Sequence, residues 1–262
     1  DLNILRIDPS LKPYERDLQL RMDNFNRKKQ QLLAPGQTLS DFANGHRYFG
    51  FHQTQDGWYY REWAPAAQEM FLTGDFCQWD RYAWPMTKLE NGAFEVFLPG
   101  KDALRSGQRV RAIVIHNGQE LERIPSYATY VEQDPATIQW DAVIHTAEPF
   151  LWTDASFKPE KTLYIYETHV GMALEEPRIG TYTEFKDKIL PRIKALGYNT
   201  VQIMAIMEHP YYASFGYQVT NLFAASSRFG KPEELKALVN EAHRLGIAVL
   251  LDVVHSHASK NT

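Results

Sequence analysis

Gly246-Ile247-Ala248-Val249-Leu250-Leu251-Asp252-Val253-Val254-His255-Ser256-His257 is a near-continuous apolar run. Rich in β-branched residues and too short for a comfortable helix, it reads as a strand buried on both faces of a parallel sheet. Asp252 interrupts the run, and a carboxylate is costly to bury without a partner. His255 and His257 stand where the strand should emerge.

Working outward from this strand, the chain before it alternates. Thr162 to His169 is apolar, Tyr182 to Leu196 has helical spacing through Phe185, Ile189, Ile193 and Leu196, and Gly197 is placed as a helix stop. Thr200 to Met207 is a further strand. Pro232 opens a helix to Leu245, with Leu235, Leu238, Val239 and Ala242 on one face and Gly246 as its stop. Three strands alternating with two helices predict right-handed βαβ units around a parallel sheet.

From about Tyr48 to Val131 the pattern is different. Short aromatic and β-branched runs (Tyr48 to His52, Trp58 to Trp63, Met70 to Thr73, Phe94 to Leu98, Val110 to His116, Glu120 to Ile124) are separated by Gly, Asn and Asp. They predict an antiparallel sandwich of immunoglobulin-like size, with hairpin turns at Asn91-Gly92 and Asn117-Gly118. Lys12 to Leu33 carries Tyr14, Leu18, Met22 and Phe25 at helical spacing, and is expected to be one amphipathic helix packed on a neighbouring domain. Between Glu132 and Lys161, Pro135, Pro149 and Pro159 with little periodicity mark the domain boundary. The expected division is a helical segment over 1–40, a sandwich over 41–150 and an α/β domain from 151 to 262.

Composition narrows the function. A net charge of -4 and the absence of any run of Lys or Arg argue against nucleic acid or an anionic membrane as partner. No apolar stretch approaches the ~20 residues that span a bilayer. The opening Asp1-Leu2-Asn3-Ile4 lacks the features of a signal peptide, so a cytoplasmic protein is expected. Cys77, the single cysteine, suits a reducing compartment.

The three α/β strands end alike, in Glu167 and His169, Glu208 and His209, and Asp252 and His257. In a (β/α) barrel the C-terminal strand ends build the active site, so these side chains converge on one pocket. Two chemistries fit: a metal held by His255-x-His257 that activates water, or carboxylates and histidines holding sugar hydroxyls through charged hydrogen bonds. The loop Tyr211-Tyr212-Ala213-Ser214-Phe215-Gly216-Tyr217-Gln218 supplies aromatic rings for the second.

These residues resemble a family. Asp252-Val253-Val254-His255-Ser256-His257 is similar to the first conserved motif of the α-amylase superfamily, on the third barrel strand. Ala205-Ile206-Met207-Glu208-His209 and Ala213-Ser214-Phe215-Gly216-Tyr217-Gln218 resemble the second-strand region and following loop of 1,4-α-glucan branching enzymes. Glu62-Trp63-Ala64-Pro65 and Phe71-Leu72-Thr73-Gly74-Asp75-Phe76-Cys77-Gln78-Trp79 are similar to the glycogen-binding module that precedes the barrel there. Nearly the whole chain matches in order, and the glycogen branching enzymes of the eukaryotic type are the nearest in pattern.

The resemblance implies the N-terminal part of such an enzyme: a helix, an immunoglobulin-like sandwich and the first three strands of a (β/α)8 barrel. The parent reaction cuts an α-1,4 bond of glycogen, amylose or amylopectin, holds the chain covalently and passes it to a 6-hydroxyl, a retaining double displacement without a cofactor. Tyr217 would be a stacking platform at the cleavage subsite, with Asp252 and His257 on sugar hydroxyls. Glu208, His209 and Gln218 are further substrate-binding candidates, and Trp63 and Trp79 are candidate secondary glucan platforms on the sandwich. Three positions depart from the family pattern: Ser256 and Cys77 stand at usual Asn positions and Ala205 at a usual Pro. Ser256 removes a metal ligand found in many amylases, so no metal is expected. The nucleophile, acid/base and transition-state carboxylates belong to the fourth, fifth and seventh strands and are expected outside these 262 residues. The chain by itself is expected to be inactive, with its last strand an exposed edge; the alternative reading is a non-catalytic glucan-binding protein built on the sandwich.

Overall fold

The computed structural model describes residues 2–261. Residues up to Tyr48 form one compact unit and those from Phe49 onward a second. The first holds a 3-10 turn, Pro9–Tyr14, that leads into the helix Glu15–Leu32, broken off before Pro35-Gly36. None of that helix's residues is buried, and Leu20, Met22 and Phe25 are exposed.

The second unit opens with two antiparallel sheets. One orders Gly50–Gln53 (β1), Gly57–Trp63 (β2), Thr87–Lys88 (β5) and Ala93–Pro99 (β6) as β1-β2-β6-β5. The other contains Glu69–Gly74 (β3), Trp84–Pro85 (β4), Arg109–His116 (β7), Gln119–Arg123 (β8), Val131–Gln133 (β9) and Trp140–Val143 (β10). Its order is β4-β3-β7-β10-β9, with β8 also paired to β7. Alternating side chains from both sheets, among them Trp58, Tyr60, Phe94, Val96 and Leu98 facing Met70, Leu72, Val110 and Ala112, share one apolar core. The β7–β8 hairpin turns at Asn117 and Gly118, both at positive φ (49° and 71°), as the Asn-Gly pair predicts. The four short strands β4, β5, β9 and β10 lie outside the sequence expectation: β4 and β5 are two residues each, and β9 and β10 fall at and within the proline-marked stretch expected to be the domain boundary.

Ile165–Thr168 (β11), Thr200–Ile203 (β12) and Ala248–Leu251 (β15) form a parallel sheet in that order, with Glu167, Gln202 and Leu250 in one row of the register. The helical crossovers cover one face: Val201 and Ile203 pack with Phe185, Leu190, Ile193, Leu238 and Ala242. Pro191 has no N–H to donate into the first crossover, and the turn Phe185–Ile189 before it widens to a π-helix, so the expected single helix is three short pieces.

The last strand is an edge among the described residues, as expected, but it is not buried on both faces. β15 pairs only with β12, and Leu250 and Leu251 are 39% and 46% exposed, whereas Val201 and Ile203 on the central strand are fully buried.

Met207–Glu208 (β13) pairs antiparallel with Asn221–Ala225 (β14), closing a hairpin around the aromatic loop. This hairpin docks on the sandwich: Ala224 enters the sandwich core, Phe223 stacks on Tyr127 at 4.4 Å, and Asn221 Nδ2 donates to the Pro125 carbonyl. The proline-marked connection is no free linker. It runs along the helix Pro232–Arg244, with His145 on Glu233, Thr153 on Asn240, and Asp154 and Phe157 both on His243.

Candidate active site

Asp252, the residue that needed a reason, has one. Its backbone N–H continues the ladder to the Ile203 carbonyl, and its half-buried carboxylate is held at both oxygens. Gln202 Nε2 donates to Oδ1 at 2.8 Å, and the Tyr217 hydroxyl donates to Oδ2 at 2.6 Å. The acid thus lies in the sheet with two neutral donors supplying the hydrogen bonds that water would otherwise give.

Local backbone chemistry places Tyr217. After the 3-10 turn Tyr212–Ser214, Phe215 and Gly216 both take positive φ (53° and 89°), and Tyr217 N–H closes the turn onto the Ser214 carbonyl. Gly216 is required: a Cβ there would overlap the Ala205 carbonyl oxygen. The turn aims the Tyr217 ring back over the strand ends. Partial burial, then the bond to Asp252, push its phenol up to about 12, with Glu167 adding to the same effect.

The other strand-end residues divide. Glu167 is exposed, in the same row as Gln202. His169 is 6% exposed and enclosed edge-on by Tyr212, Phe215 and Phe229, with neither ring nitrogen hydrogen-bonded among the described residues. Burial pushes its pKa down. Glu208 and His209 are fully buried. Glu208 accepts from the His209 N–H and from the Ser227 N–H and hydroxyl, and burial raises its pKa. His209 Nδ1 donates to the Met207 carbonyl, and burial lowers its pKa. As folded here, both brace the β13–β14 hairpin and present no free surface to a substrate. The reading of these two as substrate contacts expects open strand tips, whereas here they lie within the β13–β14 hairpin.

His255 and His257 are exposed, His257 at a positive φ of 59°; among the described residues neither hydrogen-bonds to another side chain. No three His, Cys, Asp or Glu side chains gather as a metal site among the described residues. Gln218 is exposed beside Tyr217. On the sandwich, Trp63 at the end of β2 is 59% exposed, its indole N–H reaching the Asn91 carbonyl at 3.3 Å. Trp79, at a positive φ of 62° and 39% exposed, donates to Asp75. Both are surface rings.

Sequence reasoning missed Gln202 and Arg228. Gln202 is visible as the one long polar side chain in Thr200-Val201-Gln202-Ile203. Arg228, which donates to the His209 and Pro210 carbonyls and lies over the Trp140 ring, gives no local signal, since its partners lie in distant segments.

Comparison with known proteins bears on this geometry. Residues 48–128 match the family described as Carbohydrate-binding module 48 (Isoamylase N-terminal domain), and residues 174–262 match the alpha amylase catalytic domain. Curated proteins named 1,4-alpha-glucan-branching enzyme are 44% identical in Dictyostelium discoideum, over 98% of this chain, and 46% identical in Yarrowia lipolytica, over 99%. Over the aligned residues the chain is similar to these 1,4-alpha-glucan-branching enzymes. It spans about two-fifths of those relatives, 39% of each. Among solved structures, the maltose complex of Bacillus subtilis pullulanase type I superposes with a TM-score of 0.66 at 21% identity, covering 89% of this chain and 35% of that one. A putative alpha amylase from Salmonella typhimurium gives 0.64 at 20% identity, covering 80% and 34%. At such identities these likenesses speak for the fold alone. The Tyr217–Asp252 pair lies within the segment matched by the catalytic-domain family, and Trp63 and Trp79 lie within the carbohydrate-binding match.

Proposed function

We propose that the chain is the N-terminal part of a glycogen branching enzyme, and that its parallel sheet is the first three strands of a (β/α)8 barrel. The observation that carries this is the 44–46% identity to branching enzymes across both modules. The reaction cuts an α-1,4-glucan, holds the cut chain as a covalent glycosyl-enzyme and joins it to a 6-hydroxyl, using two carboxylates that lie outside these residues.

What this chain contributes is one wall of the subsite. The Tyr217 ring offers an apolar face to a glucose ring, as aromatic platforms do. Asp252 keeps lone pairs beyond its two bonds and accepts from sugar hydroxyls, a charge-assisted contact. His257 reaches the same sugar once its exposed loop closes on substrate. The sandwich adds Trp63 and Trp79 as secondary platforms for glycogen, amylose or amylopectin. No cofactor is needed, and cytoplasmic glycogen synthesis is the setting in which this chemistry fits.

Branching shortens linear segments and lowers the iodine absorbance of amylose. The protein extended to the catalytic carboxylates should do so, and residues 1–262 alone should not; activity in the short chain would show that the acids have been misplaced. Glycogen co-sedimentation separates the two binding regions. Loss in Trp63→Ala with retention in Tyr217→Ala assigns the affinity to the sandwich, and the reverse assigns it to the barrel.

A further inference from the structure

Tyr217 lies on a loop, and a loop side chain holds a fixed plane only when something outside the loop anchors its tip. Here the anchor is the Asp252 carboxylate, whose own torsion about Cβ–Cγ is soft because it joins an sp³ to an sp² centre. The Tyr217 hydroxyl alone would leave that carboxylate free to turn. Gln202 Nε2, 2.8 Å from Oδ1, removes the freedom and commits Oδ2 to Tyr217. We propose that Gln202 is a positioning residue for the glucan subsite, fixing the Asp252 carboxylate so that the Tyr217 ring is held in the plane on which a glucose residue rests.

The register explains why the residue is glutamine. Gln202 stands between Glu167 and Leu250 in one row, and Asp252 lies two residues beyond Leu250, on the same face of the sheet. A side chain on the central strand must therefore cross one interstrand gap of about 4.8 Å and climb towards the strand end, which takes the length of glutamine. A carboxylate stands beside it in the row, Glu167, and another accepts from its tip, Asp252. A glutamate there would face like charge, whereas a neutral amide supplies a donor without adding charge. Position, length and neutrality all match the one bond it makes.

The inference rests on the branching-enzyme reading of Tyr217 and Asp252, so its test begins without glucan. In the chain labelled with ¹³Cζ-tyrosine, Tyr217→Phe identifies the Tyr217 resonance and Asp252→Asn shows where it moves when the carboxylate is gone. Gln202→Leu, close in size but without a donor, should move the resonance towards the Asp252→Asn position and bring the phenol's titration down from about 12. Gln202→Glu should add a pH dependence that the parent lacks. Glu167 and Asp252 hold the introduced carboxyl above the usual glutamate range; while it is protonated it donates and the parent signal is kept, and once pH rises through its pKa its charge repels Asp252 and the signal matches Gln202→Leu.

In the protein extended to the catalytic acids, Gln202→Leu should lower kcat/KM by ~10- to 100-fold, as misplacement of a positioning group does. Gln202→Glu should recover activity at the acid end only. A Tyr217 resonance and titration indifferent to Gln202→Leu overturn the proposal, and so does a Gln202→Glu enzyme with the parent's pH profile. Failure of the parent to branch amylose overturns the functional reading instead, and the resonance arm distinguishes that failure from this one.

Discussion

The sandwich and the parallel sheet are built from equally apolar strands, yet they bury them differently. In the sandwich, Tyr60, Leu72, Leu98 and Val110 are all at 0% exposure, because two sheets close on each other. In the parallel sheet only the central strand reaches that state; Ile165 on one side and Leu250 on the other are 43% and 39% exposed. Strand identity is thus a property of the segment, while burial is a property of its neighbours. The sharpest way to break the comparison is to truncate one leucine in each region. Leu72→Ala, at the centre of β3, should cost ~2–5 kcal/mol, the range for a buried leucine in a core that cannot collapse. Urea denaturation of the chain measures it, and a loss below about 1 kcal/mol would mean that the sandwich core is looser than its burial indicates.

The next largest effect belongs to the loop that hangs from the parallel sheet. Gly216→Ala puts a methyl group against the Ala205 carbonyl at a φ of 89°, so the backbone must move. A loss of ~1–3 kcal/mol is expected from the strain alone. Because the movement is local, the Tyr217 phenol should also leave Asp252 and titrate closer to 10, the ordinary tyrosine value. Ultraviolet difference titration against Tyr217→Phe shows whether the turn controls the site or only the stability.

How much of this is legible in the sequence follows the same division. The six sandwich runs can be read from short aromatic and β-branched stretches set between Gly, Asn and Asp, and in β2 and β6 burial falls on alternate residues, as in an antiparallel sheet with one face inward. Asn117-Gly118 announces its turn by residue type. The parallel strands are recognisable from their apolar runs, and the last of them is the expected edge; what the run does not tell is that its faces are left partly open, with Leu250 and Leu251 exposed. At the site, Asp252 stands out as a charge in an apolar strand, and Tyr217 through its motif. Glu208 and His209 look like their strand-end counterparts, and what separates them is the inward turn of β13 onto the sandwich, a tertiary fact with no local signature. Gln202 could have been found by the argument applied to Asp252, because a polar side chain in a buried strand also needs a partner.

The buried histidines give a pH-dependent test of intermediate size. His169, among Tyr212, Phe215 and Phe229, is held below the ordinary histidine pKa by burial, and His209 likewise, with Arg228 and His169 itself adding to the effect. Below about pH 6.5 the unfolded chain takes up protons that the folded chain refuses, so the stability present above that pH is lost as pH falls towards the lowered folded values. The slope is at most ~1.4 kcal/mol per pH unit for each group. Buried Glu62 and Glu208, raised by burial, act in the opposite sense as they protonate. The histidine contribution is therefore read as a difference: His169→Phe should flatten the decline in urea midpoint between pH 7 and pH 5.5 relative to the parent. Parallel curves would mean that His169 is accessible to protons in the folded state.

The smallest effect completes the comparison from the open side. Leu250 stands in the edge strand, its side chain on the sheet face away from the crossover helices, where it keeps 39% of its surface in water. Leu250→Ala removes less transferred area than Leu72→Ala and leaves no closed cavity, so the cost should fall below about 1 kcal/mol. Exposed apolar edges pair with other edges, and charge on the edge suppresses this. Leu250→Lys should therefore leave the urea midpoint nearly unchanged while lowering light scattering at high protein concentration. If β15 acquires a further parallel neighbour in the extended protein, as the barrel reading proposes, the same Leu250→Ala substitution should become severalfold more costly there. An equal cost in the short and extended proteins would show that the edge stays open and that the strand order proposed for the barrel is wrong.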